Sequence, residues 1–139
     1  MSSVFRLFRL GGFKMEQELI EYHDITPIFR IFDITKAQEF YIHFLDFQLD
    51  WEHQYEDNFP IYMQVSRGNC VIHLSEHHGD CSPGSAIRVK VNNIAALHST
   101  LLAKNFKYNK PGLEKTPWNT KEITVIDPFS NKITFFESL

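Results

Sequence analysis

Four aromatic side chains fall outside the apolar faces expected for helices, on predicted strand ends and loops. They are Trp51, Phe59, Tyr62 and Trp118. Aromatic faces in such positions can stack on planar ligands and attract cations. Acidic residues near the first of them would add attraction for a positive charge, and they are Asp50, Glu52, Glu56 and Asp57. These residues could therefore bind a ligand by stacking and by attraction of a positive charge. The alternative is that these rings pack in the core or in a dimer interface.

His73 lies within a predicted strand, Cys70–Ser75, where it can face a cleft. His73 and His77 would share a face if that strand continued, which leaves a two-histidine metal site as one interpretation. The other interpretation is a cleft-facing His73 followed by solvated loop histidines. We include His73 among the ligand-binding candidates.

Glu122 lies between the loop that contains Trp118 and a following strand. It is a candidate ligand-binding residue or general base, although surface carboxylates are common. The sequence has no Ser-His-Asp order, nucleophile elbow, P-loop or G-x-G-x-x-G motif. Because no second acid or base is positioned beside Glu122, the sequence offers no catalytic mechanism, and we predict no catalytic residues.

Charge and composition exclude several classes of protein. The net charge of the 139 residues is −3, but residues 1–14 contain three basic side chains and no acid, so the remainder carries −6. An acidic domain is a poor nucleic-acid binder. No apolar run approaches the roughly 20 residues that a membrane helix needs. Two cysteines form no disulfide framework and indicate reduced thiols, so we predict a cytoplasmic protein.

A strand–helix–strands pattern occurs twice, at about residues 25–76 and 85–138. Residues 1–14 differ from everything that follows, and we interpret them as an N-terminal extension to a domain at 15–139.

Asp33 or Thr35 is expected to cap the first helix and Asn93 the second. The apolar faces of these helices comprise Ala37, Phe40, Tyr41, Phe44 and Leu45, and Ile94, Leu97 and Leu101. The strands are expected at Thr26–Phe32, Phe47–Tyr55, Pro60–Val65, Cys70–Ser75, from Ser85, and at Phe106–Tyr108, Lys121–Ile126 and Lys132–Glu137. The order is βαβββ twice, which predicts an α+β fold with a curved mixed sheet around a cleft.

Several motifs resemble the vicinal-oxygen-chelate superfamily, which contains glyoxalase I, extradiol dioxygenases and bleomycin-resistance proteins. They are Arg30-Ile31-Phe32-Asp33, Glu39-Phe40-Tyr41, Phe44-Leu45-Asp46-Phe47, Thr116-Pro117-Trp118 and Asp127-Pro128-Phe129-Ser130-Asn131. The last two look most like the bleomycin-resistance branch. The family usually has Gly where this chain has Asp46, Asn105 and Ser130. We expect Asp and Asn to accept left-handed backbone there and Ser130 to strain its turn.

The resemblance implies a homodimer whose cleft is built by both subunits, often with exchange of the first strand. Pro27 is compatible with such an arm. The resemblance also implies that Trp118 and Phe59 sandwich a planar drug.

The metal-dependent members of this superfamily use one ligand at each of four strand positions. By the register of the repeat, those positions resemble Thr26, His73, Ala86 and Thr134. Only His73 is a good ligand, and a catalytic metal needs about three. We therefore predict no metal and no cofactor.

The resulting prediction is non-catalytic binding of a small molecule, most specifically sequestration of bleomycin-type antibiotics. The alternative is a metal-dependent or metal-independent lyase, isomerase or dioxygenase of the same superfamily. A third hypothesis is a sensor or structural relative whose cleft is not used for a drug.

Overall fold

The computed structural model describes residues 19–139, and the predicted extension at 1–14 lies outside this range. The first repeat contains β1 (Ile28–Arg30), α1 (Ile34–Gln38) with a π-helical continuation (Glu39–Phe44), β2 (Gln48–Gln54), β3 (Ile61–Arg67) and β4 (Cys70–Ser75). The second contains β5 (Ala86–Lys90), α2 (Ile94–Ala103), β6 (Glu114–Lys115), β7 (Thr120–Ile126) and β8 (Lys132–Ser138). The predicted α+β class and the duplication are confirmed. Within residues 19–139, no helix is long and apolar enough to cross a membrane.

Each repeat forms its own four-stranded mixed sheet, with the orders β1-β4-β3-β2 and β5-β8-β7-β6. In both sheets the first strand pairs in parallel with the last strand of its repeat, and the other pairs are antiparallel. β1 is therefore an edge strand, as expected from Pro27, which has no N–H to donate. The Pro27 carbonyl instead accepts a hydrogen bond from His73 N at 2.9 Å.

One face of each sheet packs into a core that both repeats share. On β3, Met63 and Val65 are fully buried, while Tyr62 and Gln64 alternate to the opposite face. Alternation follows from strand geometry, which sends successive side chains to opposite faces. The opposite face of each sheet is not covered by the shared core, and we call it the open face.

The two repeats are joined by a buried polar network around Asp127. Tyr41 Oη donates to Asp127 Oδ2 at 2.7 Å, across the repeats. Asn131 Nδ2 donates to the same carboxylate and to the Arg30 carbonyl, each at 2.8 Å. Beside this network, the rings of Phe44 and Phe106 stack at 4.6 Å. The two repeats therefore share both polar and apolar contacts.

Three local predictions were wrong. Phe106–Tyr108 is not a strand, because the Phe106 ring packs on the first helix; the short β6 lies instead at Glu114–Lys115, where no strand was predicted. The first helix does not continue as an α-helix but becomes π-helical at Glu39. Asn93 precedes α2 as expected, but its side chain makes no cap; the carboxylate of Glu137 accepts from the backbone N–H groups of Asn93 and Ile94.

The three positions where the family usually has glycine do adopt left-handed backbone. The φ angles are +59° at Asp46, +51° at Asn105 and +72° at Ser130. The turn that contains Ser130 is held by Asp127, whose Oδ1 accepts from the N–H groups of Phe129 and Asn131, each at 2.8 Å. These bonds stabilise a turn whose serine conformation is unfavourable.

We expect Tyr41→Phe to lower the free energy of unfolding by about 1.5–3 kcal/mol, because it removes a buried hydrogen bond to a carboxyl group without creating a large cavity. Urea unfolding of the full chain measures this change. Tyr108→Phe is the control, since Tyr108 is exposed and its hydroxyl makes no hydrogen bond within residues 19–139. Equal stability of the two variants would show that the Asp127 network does not join the repeats energetically.

Candidate functional site

The open face of the first sheet brings together three predicted site residues, Trp51, Tyr62 and His73. Pairing of β3 with β2 and β4 places Gln64 opposite both Trp51 and His73. The Trp51 and Tyr62 rings are nearly parallel, with centroids 6.0 Å apart, and His73 meets both edge-on. We call Trp51, Tyr62, Gln64 and His73 the aromatic wall.

Hydrogen bonds fix the orientation of His73 in this wall. Gln64 Nε2 donates to Asp50 Oδ2 at 3.1 Å, which turns Gln64 Oε1 toward His73 Nε2 at 2.9 Å. His73 Nε2 must then donate, so Nδ1 accepts from Tyr62 Oη at 2.7 Å. Desolvation lowers the pKa of His73, which agrees with a neutral ring. Both ring nitrogens therefore have protein partners.

Asp50 supplies a negative charge at the edge of the aromatic wall. A register shift between Leu49 and Trp51 interrupts the pairing of β2 with β3 at this position. Hydrogen bonds from Ser66 and then Gln64 lower the pKa of Asp50. Its carboxylate therefore stays charged to lower pH than an unbonded aspartate.

Trp118, in the turn between β6 and β7, and Glu122, on β7, belong to a cluster that also contains Arg88 and Thr120. Arg88 Nη1 and Nη2 donate to the two carboxylate oxygens of Glu122 at 3.2 and 2.7 Å. Trp118 Nε1 and Thr120 Oγ1 both donate to Glu122 Oε2, at 3.0 and 2.7 Å. We call these four residues the Trp118 cluster. The Trp118 side chain is held at its nitrogen, yet the residue is 62% exposed.

The hydrogen bond from Arg88, followed by those from Thr120 and Trp118, lowers the pKa of Glu122 to about 2. A carboxylate with this pKa and three donors is a poor acceptor for a substrate proton near neutral pH. Its geometry instead suits it to orient Trp118. Sequence patterns indicated Glu122 but not Arg88 and Thr120, because only the pairing of strands β5, β8 and β7 brings them together.

Phe59 lies apart from both groups, in the turn that precedes β3. It is 47% exposed and borders a shallow pocket of about 280 Å³ with Arg30, Phe32 and Glu76. Among the contacts within residues 19–139, none joins Phe59 to Trp118. Within one chain, the six predicted residues thus form three groups: the aromatic wall residues, the pair Trp118 and Glu122, and Phe59 alone.

The residues at the four metal-ligand positions of the superfamily do not fit a divalent ion. Ala86 has no donor atom, Thr134 Oγ1 is hydrogen-bonded to Thr124 Oγ1 at 3.1 Å, and both nitrogens of His73 have partners. Across residues 19–139, no three His, Cys, Asp or Glu side chains are grouped to hold a metal. This donor set supports no metal-dependent step.

Comparison with known proteins identifies the family to which the chain belongs. A family model described as glyoxalase superfamily protein matches residues 14–139. The chain therefore belongs to the glyoxalase superfamily. No curated protein matches the sequence.

Solved structures with the same fold share little sequence identity with this chain. A glyoxalase-related enzyme from Clostridium phytofermentans is 16% identical, with 88% of this chain and 99% of that chain covered and a TM-score of 0.67. A bleomycin-binding protein complexed with bleomycin is 14% identical, with 85% and 100% covered and a TM-score of 0.64. TnmS3, an antibiotic binding protein from Streptomyces sp. CB03234, is 18% identical, with 86% and 100% covered and a TM-score of 0.63. At these identities the likeness shows the fold alone.

We expect Glu122 to contribute to stability above pH 4.5, the ordinary pKa of a glutamate side chain, and to lose that contribution as pH falls toward about 2. The sign follows because the folded state holds the carboxylate ionised where the unfolded state protonates it. The difference in Tm between the wild type and Glu122→Gln should therefore be largest at roughly pH 5–6. It should shrink at lower pH, where the carboxyl group of Glu122 becomes protonated. Thermal scans from about pH 6 to 2 measure it. Glu56→Gln, in the exposed turn between β2 and β3, is the control; a difference for Glu122→Gln that is independent of pH would contradict the assignment.

Proposed function

We propose that this protein binds a planar, cationic small molecule of the bleomycin type and sequesters it without making or breaking a bond. The observation that carries the proposal is the Trp118 indole, which is mostly exposed but anchored through Nε1 to Glu122. An exposed ring normally gains freedom in solution, whereas this one is held in place before any ligand arrives. Such preorganisation lowers the entropic cost of stacking on a flat ligand.

The aromatic wall supports the same proposal from the other sheet. Trp51 is partly exposed, and its ring has the Tyr62 ring on one side. Asp50 precedes Trp51 on β2, is exposed and accepts a hydrogen bond from Gln64 of the aromatic wall. Glu52 pairs with Met63 and therefore faces the other side of the sheet. A cation held over an indole near a carboxylate gains from the ring quadrupole and from the opposite charge. The ligand class therefore combines a flat ring system with a positive group.

We further propose that the binding cleft is completed in a homodimer. The aromatic wall and the Trp118 cluster occupy the open faces of different sheets, and no contact within residues 19–139 joins them. A two-fold dimer can place the aromatic wall of each copy opposite the Trp118 cluster of its partner. In such an interface, if one patch contacts a second patch on the partner, the reverse contact also forms. The chemistry requires no cofactor, and we propose a cytoplasmic location.

A fluorescence titration with bleomycin tests the proposed ligand class. Both tryptophans of the chain, Trp51 and Trp118, belong to the proposed walls, so a stacked ligand should quench the intrinsic emission with saturation. Unchanged emission up to high micromolar drug would overturn the bleomycin-type proposal.

We expect Trp118→Ala to weaken bleomycin binding by about 1–3 kcal/mol, because it removes an anchoring aromatic face. Isothermal titration calorimetry measures the affinity. Tyr108→Ala is the matched control, as it removes an exposed aromatic ring that lies in neither wall. If Trp118→Ala binds as tightly as Tyr108→Ala, Trp118 is not part of the site.

The metal-dependent lyase, isomerase or dioxygenase alternative makes a different prediction. We expect the purified protein to contain less than stoichiometric divalent metal, and Zn²⁺ or Mn²⁺ added to the drug-free protein to fill no tight site, because His73 lacks companion ligands within residues 19–139. Elemental analysis and calorimetric titration of the drug-free protein with metal measure this. One tightly bound ion per chain, lost in His73→Ala, would favour the alternative.

A further inference from the structure

The pocket beside Phe59 shares no residue with the aromatic wall or the Trp118 cluster. Arg30, Phe32, Phe59 and Glu76 line it, and we call it the Phe59 pocket. The end of β1 with the loop after it, the loop before β3 and the residue after β4 bring these side chains together. Its volume of about 280 Å³ is just below the roughly 300–1,000 Å³ of drug-sized sites, so its ligand must be small.

The guanidinium of Arg30 is held in place, but its terminal nitrogens are not used. Arg30 Cζ lies 4.5 Å from the centroid of the Phe32 ring, and Arg30 Nε donates to the Ile31 carbonyl at 3.4 Å. The two terminal nitrogens make no hydrogen bond within residues 19–139. These are nitrogens that bind carboxylates, so the guanidinium is positioned for an anionic group.

The carboxylate of Glu76 is held in a similar way. Glu76 N donates to the Ile61 carbonyl at 2.9 Å, and Glu76 Oε1 accepts from Ile61 N at 3.0 Å. Within residues 19–139, Oε2 accepts no hydrogen bond and Glu76 forms no ion pair with Arg30. Opposite charges that line one small pocket attract each other, yet here each is held by another partner. Both charges therefore remain available to a ligand that carries the complementary two.

Two aromatic rings at the same pocket are exposed, Phe32 by 57% and Phe59 by 47%. The turn that contains Phe59 is fixed by two hydrogen bonds. Phe59 N donates to the Glu56 carbonyl at 3.0 Å, and Gln54 Nε2 donates to the Phe59 carbonyl at 2.8 Å. A ligand ring that covers these side chains gains from burial of apolar surface and from contact between aromatic rings.

We propose that the Phe59 pocket binds an α-amino acid with an aromatic side chain. The carboxylate of the amino acid pairs with Arg30, its ammonium group pairs with Glu76, and its ring packs against Phe32 and Phe59. An α-amino acid carries both charges and an apolar group within a few bonds, as the small volume requires. This site is separate from the proposed drug site.

Titration of the full chain with L-phenylalanine, followed by amide NMR shifts, tests the proposal. We expect saturable shifts at the residues that line the pocket. N-acetyl-L-phenylalanine and L-phenylalaninamide each lack one charge and should bind about tenfold more weakly, since they lose a charge-assisted hydrogen bond. Equal binding of the three compounds would overturn the proposal. So would a failure of L-phenylalanine to saturate up to about 10 mM, tenfold above a dissociation constant of about 1 mM.

Neutral variants test the two charges separately. Glu76→Gln should weaken L-phenylalanine binding by about tenfold, because it removes the charge while its amide oxygen can still accept from Ile61 N. Arg30→Gln should have a similar effect. Glu52→Gln and Lys132→Gln are the matched controls, since both residues are exposed and neither lines the pocket. Affinities of the two pocket variants equal to those of the controls would overturn the charge pairing.

Two further measurements locate the site. Phe59→Ala should weaken L-phenylalanine binding several-fold, whereas Tyr108→Ala, which removes an exposed ring outside the pocket, should not. Saturating L-phenylalanine should leave the bleomycin affinity unchanged. Displacement of one ligand by the other would place the amino acid in the drug site and overturn a separate pocket. Failure of the amino-acid titration leaves the drug proposal intact, because bleomycin binding is measured through Trp51 and Trp118.

Discussion

The carboxylate of Asp127 is the interaction on which the arrangement of the two repeats depends. It lies in the turn between β7 and β8 of the second repeat and accepts a hydrogen bond from Tyr41 of the first. Asn131, from the same turn, reaches the Arg30 carbonyl at the end of β1. Buried polar groups of this kind are costly when one partner is missing, so the network permits few relative orientations of the repeats.

The shared core has a direct consequence for the location of binding. Each sheet gives one face to the core, and the opposite faces carry the polar and aromatic residues of the proposed walls. Tyr62 and Gln64 reach the open face because Met63 and Val65 occupy the core. The alternation that builds the core also builds the aromatic wall, whereas the Trp118 cluster depends on Arg88 of β5 and Glu122 of β7, which are separated by β8. Binding residues and packing residues therefore come from the same strands.

The duplication and most strands were predictable because alternation and turn residues are local signals. The strand Cys70–Ser75 was predicted with its observed limits, and the left-handed turns were expected from Asp46, Asn105 and Ser130. Phe106–Tyr108 was predicted wrongly because its apolar pattern serves packing on the first helix, which propensity alone cannot distinguish. The cap of α2 was missed because Glu137 is 44 residues from Asn93 in sequence. The same reason applies to Arg88 and Glu122, which meet only once the sheet has formed.

The ion pair between Arg88 and Glu122 leaves the two proposed walls electrically different. Around Trp118 the charges of Arg88 and Glu122 offset each other across 2.7 Å. The Trp118 cluster therefore selects a ligand mainly by its shape. Beside Trp51, Asp50 has no such cationic partner within residues 19–139. Mobile ions screen exposed charges over a Debye length of about 8 Å at physiological ionic strength. Higher ionic strength should therefore weaken the contribution of the aromatic wall to affinity and leave that of the Trp118 cluster nearly unchanged. The salt dependence of affinity would then show which of the two groups binds the cationic part of a ligand.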